Sequence, residues 1–153
     1  MKRLLVVYHS ASGGTRQLLE AVLEGARDPE AGEVDILVRP ALSATAEDVL
    51  TADGLLLGTP ENFGYMSGGL KDFFDRIYNP CLEHTAGLPF GLFIRAGNDG
   101  RGAEQAVQRI VTGLRWRQVA PVLIARGPLE DTALHEAREL GLSLAAGLAG
   151  GIF

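Results

Sequence analysis

Two textures alternate along the chain. Short, nearly continuous apolar runs occur at Leu4–Tyr8, Ile36–Val38, Leu55–Leu57, Phe90–Ile94 and Pro121–Ala125. Such runs read as strands covered on both faces, the signature of a parallel sheet sandwiched by helices. Between them, apolar positions recur at helical spacing. Leu18, Leu19, Val22, Leu23 and Ala26 form one stripe, and Leu70, Phe73, Phe74 and Ile77 a second. Ala103, Ala106, Val107, Ile110 and Leu114 form a third, and Leu134, Ala137, Leu140, Leu144 and Leu148 a fourth. A short helix near Thr45–Thr51 fills the remaining gap, with Thr45 and Asp48 at capping-box spacing. Five strands alternating with five helices predict right-handed βαβ units and a doubly wound α/β sandwich of three layers.

In a domain of that kind ligands sit beyond the carboxyl ends of the strands, where the strand order reverses. Three loops follow strands and are unusual in composition: Ser10–Thr15, Thr59–Ser67 and Ala96–Gly102. The first places Ser10, Ser12 and Thr15 around Gly13 and Gly14 at the mouth of a helix. A helix N-terminus offers unpaired N–H groups and a partial positive charge, hydroxyls add donors, and glycines let the backbone approach a ligand. This loop therefore reads as a phosphate cradle. The simpler alternative is that Ser12 caps the helix and the glycines only turn the chain.

Several chemistries are excluded by pattern. G-x-x-x-x-G-K-[ST] is absent, as is G-x-G-x-x-G after the first strand, so neither a P-loop nor a dinucleotide fingerprint is present. No G-x-S-x-G elbow supports a hydrolase. Tyr8 and His9 stand where a phosphoacceptor receiver would carry acidic residues. His84 and His135 have no neighbours at metal-ligand spacing, and Trp116 and Cys81 read as packing residues.

What remains, "S-x-S-G-G-T", resembles the phosphate loop of the flavodoxin-like superfamily, [ST]-x-[ST]-G-x-T. The second loop extends the likeness. Gly58, Thr59, Pro60, Phe63, Gly64, Met66, Ser67, Gly68, Leu70, Lys71, Phe73 and Asp75 match a pattern that recurs in flavodoxin-like NAD(P)H-dependent FMN reductases and quinone reductases. The resemblance implies a five-stranded parallel sheet of order 2-1-3-4-5 and a bound FMN. Its phosphate would be held by Ser10, Ser12, Gly13, Gly14 and Thr15. Its ring would lie against Thr59, Pro60, Glu61, Asn62, Phe63, Gly64, Tyr65 and Met66, with Phe63, Tyr65 and Met66 as an apolar wall. Ala96, Gly97, Asn98 and Asp99 would follow the pyrimidine edge, although a glycine-rich turn capped by Asp99 accounts for that loop equally well. Arg16, an extra cation in the first helical turn, is expected to be solvated rather than bound to phosphate.

The activity so implied is hydride transfer from NAD(P)H through flavin N5 to a quinone, free flavin or similar small acceptor. No side-chain acid or base is required, because the flavin carries the chemistry. One-electron carriage to a redox partner protein, and flavin sensing without turnover, are the alternatives.

Composition sharpens this in a few places. The 153 residues suit a single domain over 1–153, and a possible homodimer is expected from the resemblance. The net charge of −5 argues against nucleic acid and falls short of the dense acidic surface of a docking electron carrier. One cysteine excludes an internal disulfide. The apolar run after "MKR" is five residues long, too short for a signal peptide, and no segment is long enough to span a membrane. A cytoplasmic location is expected.

Overall fold

The computed structural model describes residues 1–10 and 13–153. Ser12, placed in the phosphate cradle by its sequence, lies outside the described residues.

Five long β/α alternations are present: β1 Arg3–Tyr8, α1 Gly14–Ala26, β2 Asp35–Pro40, α2 Ala46–Leu50, β3 Gly54–Asn62, β4 Tyr65–Met66, α3 Gly68–Cys81, β5 Pro89–Ala96, α4 Arg101–Leu114, β6 Arg117–Gln118, β7 Leu123–Arg126 and α5 Asp131–Ala149. The main sheet runs β2-β1-β3-β5, with β6 and then β7 parallel to β5 on its outer side. This is the expected 2-1-3-4-5 order, with two differences. The fifth strand comes in two pieces because Pro121, which has no N–H to give the ladder, lies in the gap between β6 and β7. In addition, β3 runs on past the sheet and folds back on itself as a hairpin with β4, bringing the strand count among the described residues to seven.

Alternation along each buried strand divides the core in two. Leu4, Val6, Leu56 and Phe93 face α1 and α5, where they meet Leu18, Val22, Leu140 and Leu144. Leu5, Val7, Leu55, Leu57, Leu92 and Ile94 face the other layer, where they meet Leu70, Phe73, Ile77, Val107 and Val111. Burial on both faces explains why these strands lack the polar-apolar alternation of a half-exposed sheet.

Local chemistry sets the helix starts. Thr45 Oγ1 accepts from the N–H of Asp48 and Asp48 Oδ2 accepts from the N–H of Thr45, completing the capping box that begins α2. Ser67 accepts from the Leu70 N–H to cap α3. Trp116 packs on Phe74 and Phe90 and donates its indole N–H to Thr85 at 2.8 Å, the packing role its position suggested. Cys81 is fully buried, and burial pushes its thiol up from the ordinary cysteine range, which suits an inert core residue.

The strand order reverses between β1 and β3, so the loops after those two strands flank the crevice of the switch point.

Candidate functional site

Register aligns the three unusual loops at one edge of the sheet. Tyr8 pairs with Gly58 across β1 and β3, and Pro60 pairs with Arg95 across β3 and β5. The next residues of all three strands therefore emerge side by side.

The first loop closes on Gly13, whose φ of 93° is a left-handed conformation that costs a glycine little. Gly13 is the N-cap of α1 and supplies no side-chain acceptor, and the first turn holds no acidic residue. Among the described residues, the leading amides of α1 thus lack the capping partner that Thr45 gives α2 and Ser67 gives α3. A side chain at Gly13 would meet nothing within 4 Å, so the space beside these amides is open. Thr15 is buried in the first turn. His9, just before the loop, lays its ring against Gly69 and keeps a buried Nδ1 with no hydrogen-bond partner among the described residues. An open N-terminus, a glycine at positive φ and an orphaned buried nitrogen fit a ligand bearing a phosphate. Arg16 behaves otherwise. Its guanidinium lies 5.5 Å from the centre of the Tyr8 ring and donates to the Tyr8 hydroxyl at 3.2 Å.

The second loop is the β3–β4 hairpin. Asn62 pairs with Tyr65 and Glu61 with Met66, leaving Phe63 and Gly64 as a two-residue turn. Both have positive φ, 52° and 71°, as a type I′ turn requires. Phenylalanine is unusual there, since this conformation costs an L-residue about 1 kcal/mol or more. Thr59 is buried beneath the hairpin. Its hydroxyl donates to the Pro60 carbonyl at 2.8 Å and accepts from the Ser67 N–H at 3.0 Å, which latches the two ends of the loop together.

The hairpin leans on the start of α4. Glu61 Oε2 accepts from the Ala103 N–H at 3.1 Å, supplying the side-chain cap that Gly100 cannot give. A Cβ on Gly102 would run into the Gly64 carbonyl, so the two backbones touch at that point.

The third loop is held from both sides. Asp99 Oδ1 accepts from the Arg101 N–H, and the Asp99 carbonyl accepts from Arg126 Nε, both at 3.0 Å. Asp99 therefore closes the turn before α4. Ala96 is buried, whereas Gly97 and Asn98 are exposed, with nothing within 4 Å of where a Gly97 side chain would lie.

The expected residues divide accordingly. Ser10, Gly13, Gly14 and Thr15 gather at the α1 N-terminus, with Pro60–Tyr65 and Gly97–Asp99 beside them. Three expected contacts are engaged or buried elsewhere. The side chains of Thr59 and Glu61 are tied up within the scaffold, and Met66 is 2% exposed and packs in the core rather than forming a wall. Phe63, fully exposed at the hairpin tip, and Tyr65, 42% exposed, are the aromatic surface that remains. Arg95 and Gly102 are not among the expected site residues. Glycine spacing gives no sign of Gly102, because its role depends on a contact with Gly64. Arg95 was legible as the one charged residue in the run Pro89–Ala96.

Residues 30–126 match a family model described as NADPH-dependent FMN reductase. A flavodoxin of Aquifex aeolicus is 39% identical over 114 residues, covering 74% of this chain and 60% of that protein. An NAD(P)H dehydrogenase (quinone) of Acidithiobacillus ferrooxidans is 35% identical over 133 residues, covering 74% of this chain and 66% of that protein. The chain therefore spans about three fifths to two thirds of these two relatives. Among solved structures, a flavodoxin from the domain Archaea superposes with a TM-score of 0.81 at 20% identity, over 95% of this chain and 98% of that one. The fold is flavodoxin-like.

Proposed function

The chain belongs to the NADPH-dependent FMN reductase family, and from that premise we propose that it binds FMN across the three loops and works as an NAD(P)H-dependent oxidoreductase for a quinone, free flavin or similar small acceptor. The observation that carries the reading is the first turn of α1: a glycine cap, no acidic side chain, and no side-chain cap on the leading amides among the described residues.

The residues divide the work by position. The amides of Gly13, Gly14 and Thr15, with the hydroxyls of Ser10 and Ser12, hold the phosphate. The backbone of the Asn62–Tyr65 turn and of Gly97–Asp99 supplies donors and acceptors to the ring edge, while Phe63 and Tyr65 offer apolar surface. Thr59 and Glu61 keep the hairpin rigid, which matters because a ring held by backbone amides is only as well placed as the turn that carries them. FMN, when bound, supplies the two-electron chemistry, accepting hydride from a nicotinamide and passing reducing equivalents on.

A small-molecule acceptor is favoured over a large protein partner by the modest net charge of −5 and by the lack of an indole over the site: Trp116 is buried against Phe74 and Phe90. The flavodoxin of Aquifex aeolicus is the relative that speaks for the alternative, a carrier of single electrons. Steady-state assays of the FMN-loaded protein separate the two. Oxidation of NADH or NADPH that depends on added quinone or free flavin is the expected outcome. An absence of oxidation with either nucleotide, alongside reduction by a reductase protein, would replace the enzyme with the carrier.

A further inference from the structure

We propose that Arg95, rather than any cation in the phosphate loop, is the charge that makes this site select a phosphorylated flavin. The inference rests on the FMN reading above. Arg95 is the penultimate residue of β5, pairing with Pro60 on one side and Ala125 on the other. It lies on the sheet face that carries Phe93 and Gly91 beneath α1 and α5, a layer otherwise lined with apolar residues. Its side chain runs under the first residue of α1. A Cβ on Gly14 would sit 2.9 Å from Arg95 Nε and 3.0 Å from its Cγ, so the arginine occupies the space that a Gly14 side chain would need.

Arg95 is half-buried, yet no carboxylate answers it. The ion pairs among the described residues engage Arg3, Arg39, Lys71 and Arg76, and none engages Arg95. Its hydrogen bonds to described residues run from Nη1 to two carbonyl oxygens, Ala96 at 2.7 Å and Ala125 at 3.3 Å. Those bonds fix the plane of the guanidinium without neutralising it. Withdrawing a cation from water without a counter-ion is costly. Setting it beside the positive end of a helix adds like-sign repulsion. A dianion over the α1 amides would offset both costs, since cation and helix terminus then face one negative group. Arg16, the nearer cation in sequence, is drawn off onto Tyr8 and does not compete for this role.

Arg95 is accordingly a positioning and charge-supplying residue, and its signature is discrimination between ligands rather than loss of activity. The apoprotein, and its Arg95→Met and Arg95→Lys variants, are titrated with FMN and with riboflavin by flavin fluorescence at low and high salt, with circular dichroism to verify folding. Arg95→Met is expected to weaken FMN by about tenfold to a hundredfold, the range of a charge-assisted contact, while riboflavin affinity stays unchanged. Arg95→Lys keeps the charge and is expected to retain most of the FMN preference. Salt should weaken FMN binding in the parent more steeply than in Arg95→Met. Equal losses for FMN and riboflavin would make Arg95 a scaffold residue and overturn the inference. An FMN preference in Arg95→Met equal to the parent's would overturn it alone, leaving the FMN reading intact. A parent that binds neither flavin would overturn both.

Discussion

Replacing Gly141 by valine is expected to destabilise the protein by about 3 kcal/mol, at the upper end of what overpacking costs. The melting temperature should fall by roughly 10 °C for a chain of this size. The reason is the way α1 and α5 cross. A Cβ on Gly141 would collide with the Val22 carbonyl and lie 3.0 Å from the Ala26 amide nitrogen, and a Cβ on Gly25 would collide with the Arg138 carbonyl. Each helix offers the other a glycine, so the two backbones come into direct contact. The opposing atoms are backbone, which cannot rotate away as a flexible side chain would. Relief requires the helices to separate, and that loosens the core layer formed by Leu18, Val22, Ala137, Leu140 and Leu144. Ser143, exposed on the same helix, provides the control: Ser143→Val should shift stability by no more than about 0.5 kcal/mol. Thermal melts followed by circular dichroism read both variants, and parent-like melting of Gly141→Val would refute the close approach.

Gly102→Val should have the largest effect on the site itself. At this position the start of α4 touches the turn of the β3–β4 hairpin, and a side chain would meet the Gly64 carbonyl. The hairpin must then lift from α4, breaking the bond from the Ala103 N–H to Glu61 Oε2. The turn amides move with it. A displacement of this kind should weaken FMN by about a hundredfold, the equivalent of the same few kcal/mol of steric cost. The contact lies at the rim of the core layer that Met66 and Ala103 join, and away from the layer beneath α1 and α5, so circular dichroism should show a folded protein. Fluorescence titration measures the loss, and parent-like affinity would mean that the hairpin does not hold the flavin.

These two glycines mark the limit of what the sequence reveals. Apolar runs and helical stripes placed every long strand and helix, because burial on two faces leaves a continuous apolar signature and burial on one helical face leaves a periodic one. Thr45 and Asp48 betrayed their capping box because its partners are three residues apart. The features that escaped are made between distant segments. Glu61 caps α4 from 42 residues away. Arg95 meets Gly14 from 81 positions away in the sequence. The hairpin escaped for another reason: its turn holds Phe63 at positive φ, where asparagine or glycine is the recognisable signal. Composition alone puts Met66 in the apolar wall, but its side-chain direction follows from the hairpin register, which places it inward against the core. Within the first loop the composition is informative, since the glycines at the helix start are visible in the sequence and Gly13 stands in the structure as an N-cap without a side-chain acceptor.

The most direct test of an NAD(P)H-dependent flavin enzyme is the reductive half-reaction alone. The purified protein is loaded with FMN, freed of oxygen and mixed rapidly with NADH or NADPH while its visible absorbance is followed. Bleaching of the oxidised flavin by at least one of the nucleotides within seconds is the predicted result, because hydride transfer needs an open ring face and the hairpin leaves no indole across it. An oxidised spectrum that persists for minutes with both nucleotides, in a sample that dithionite bleaches at once, would contradict the account.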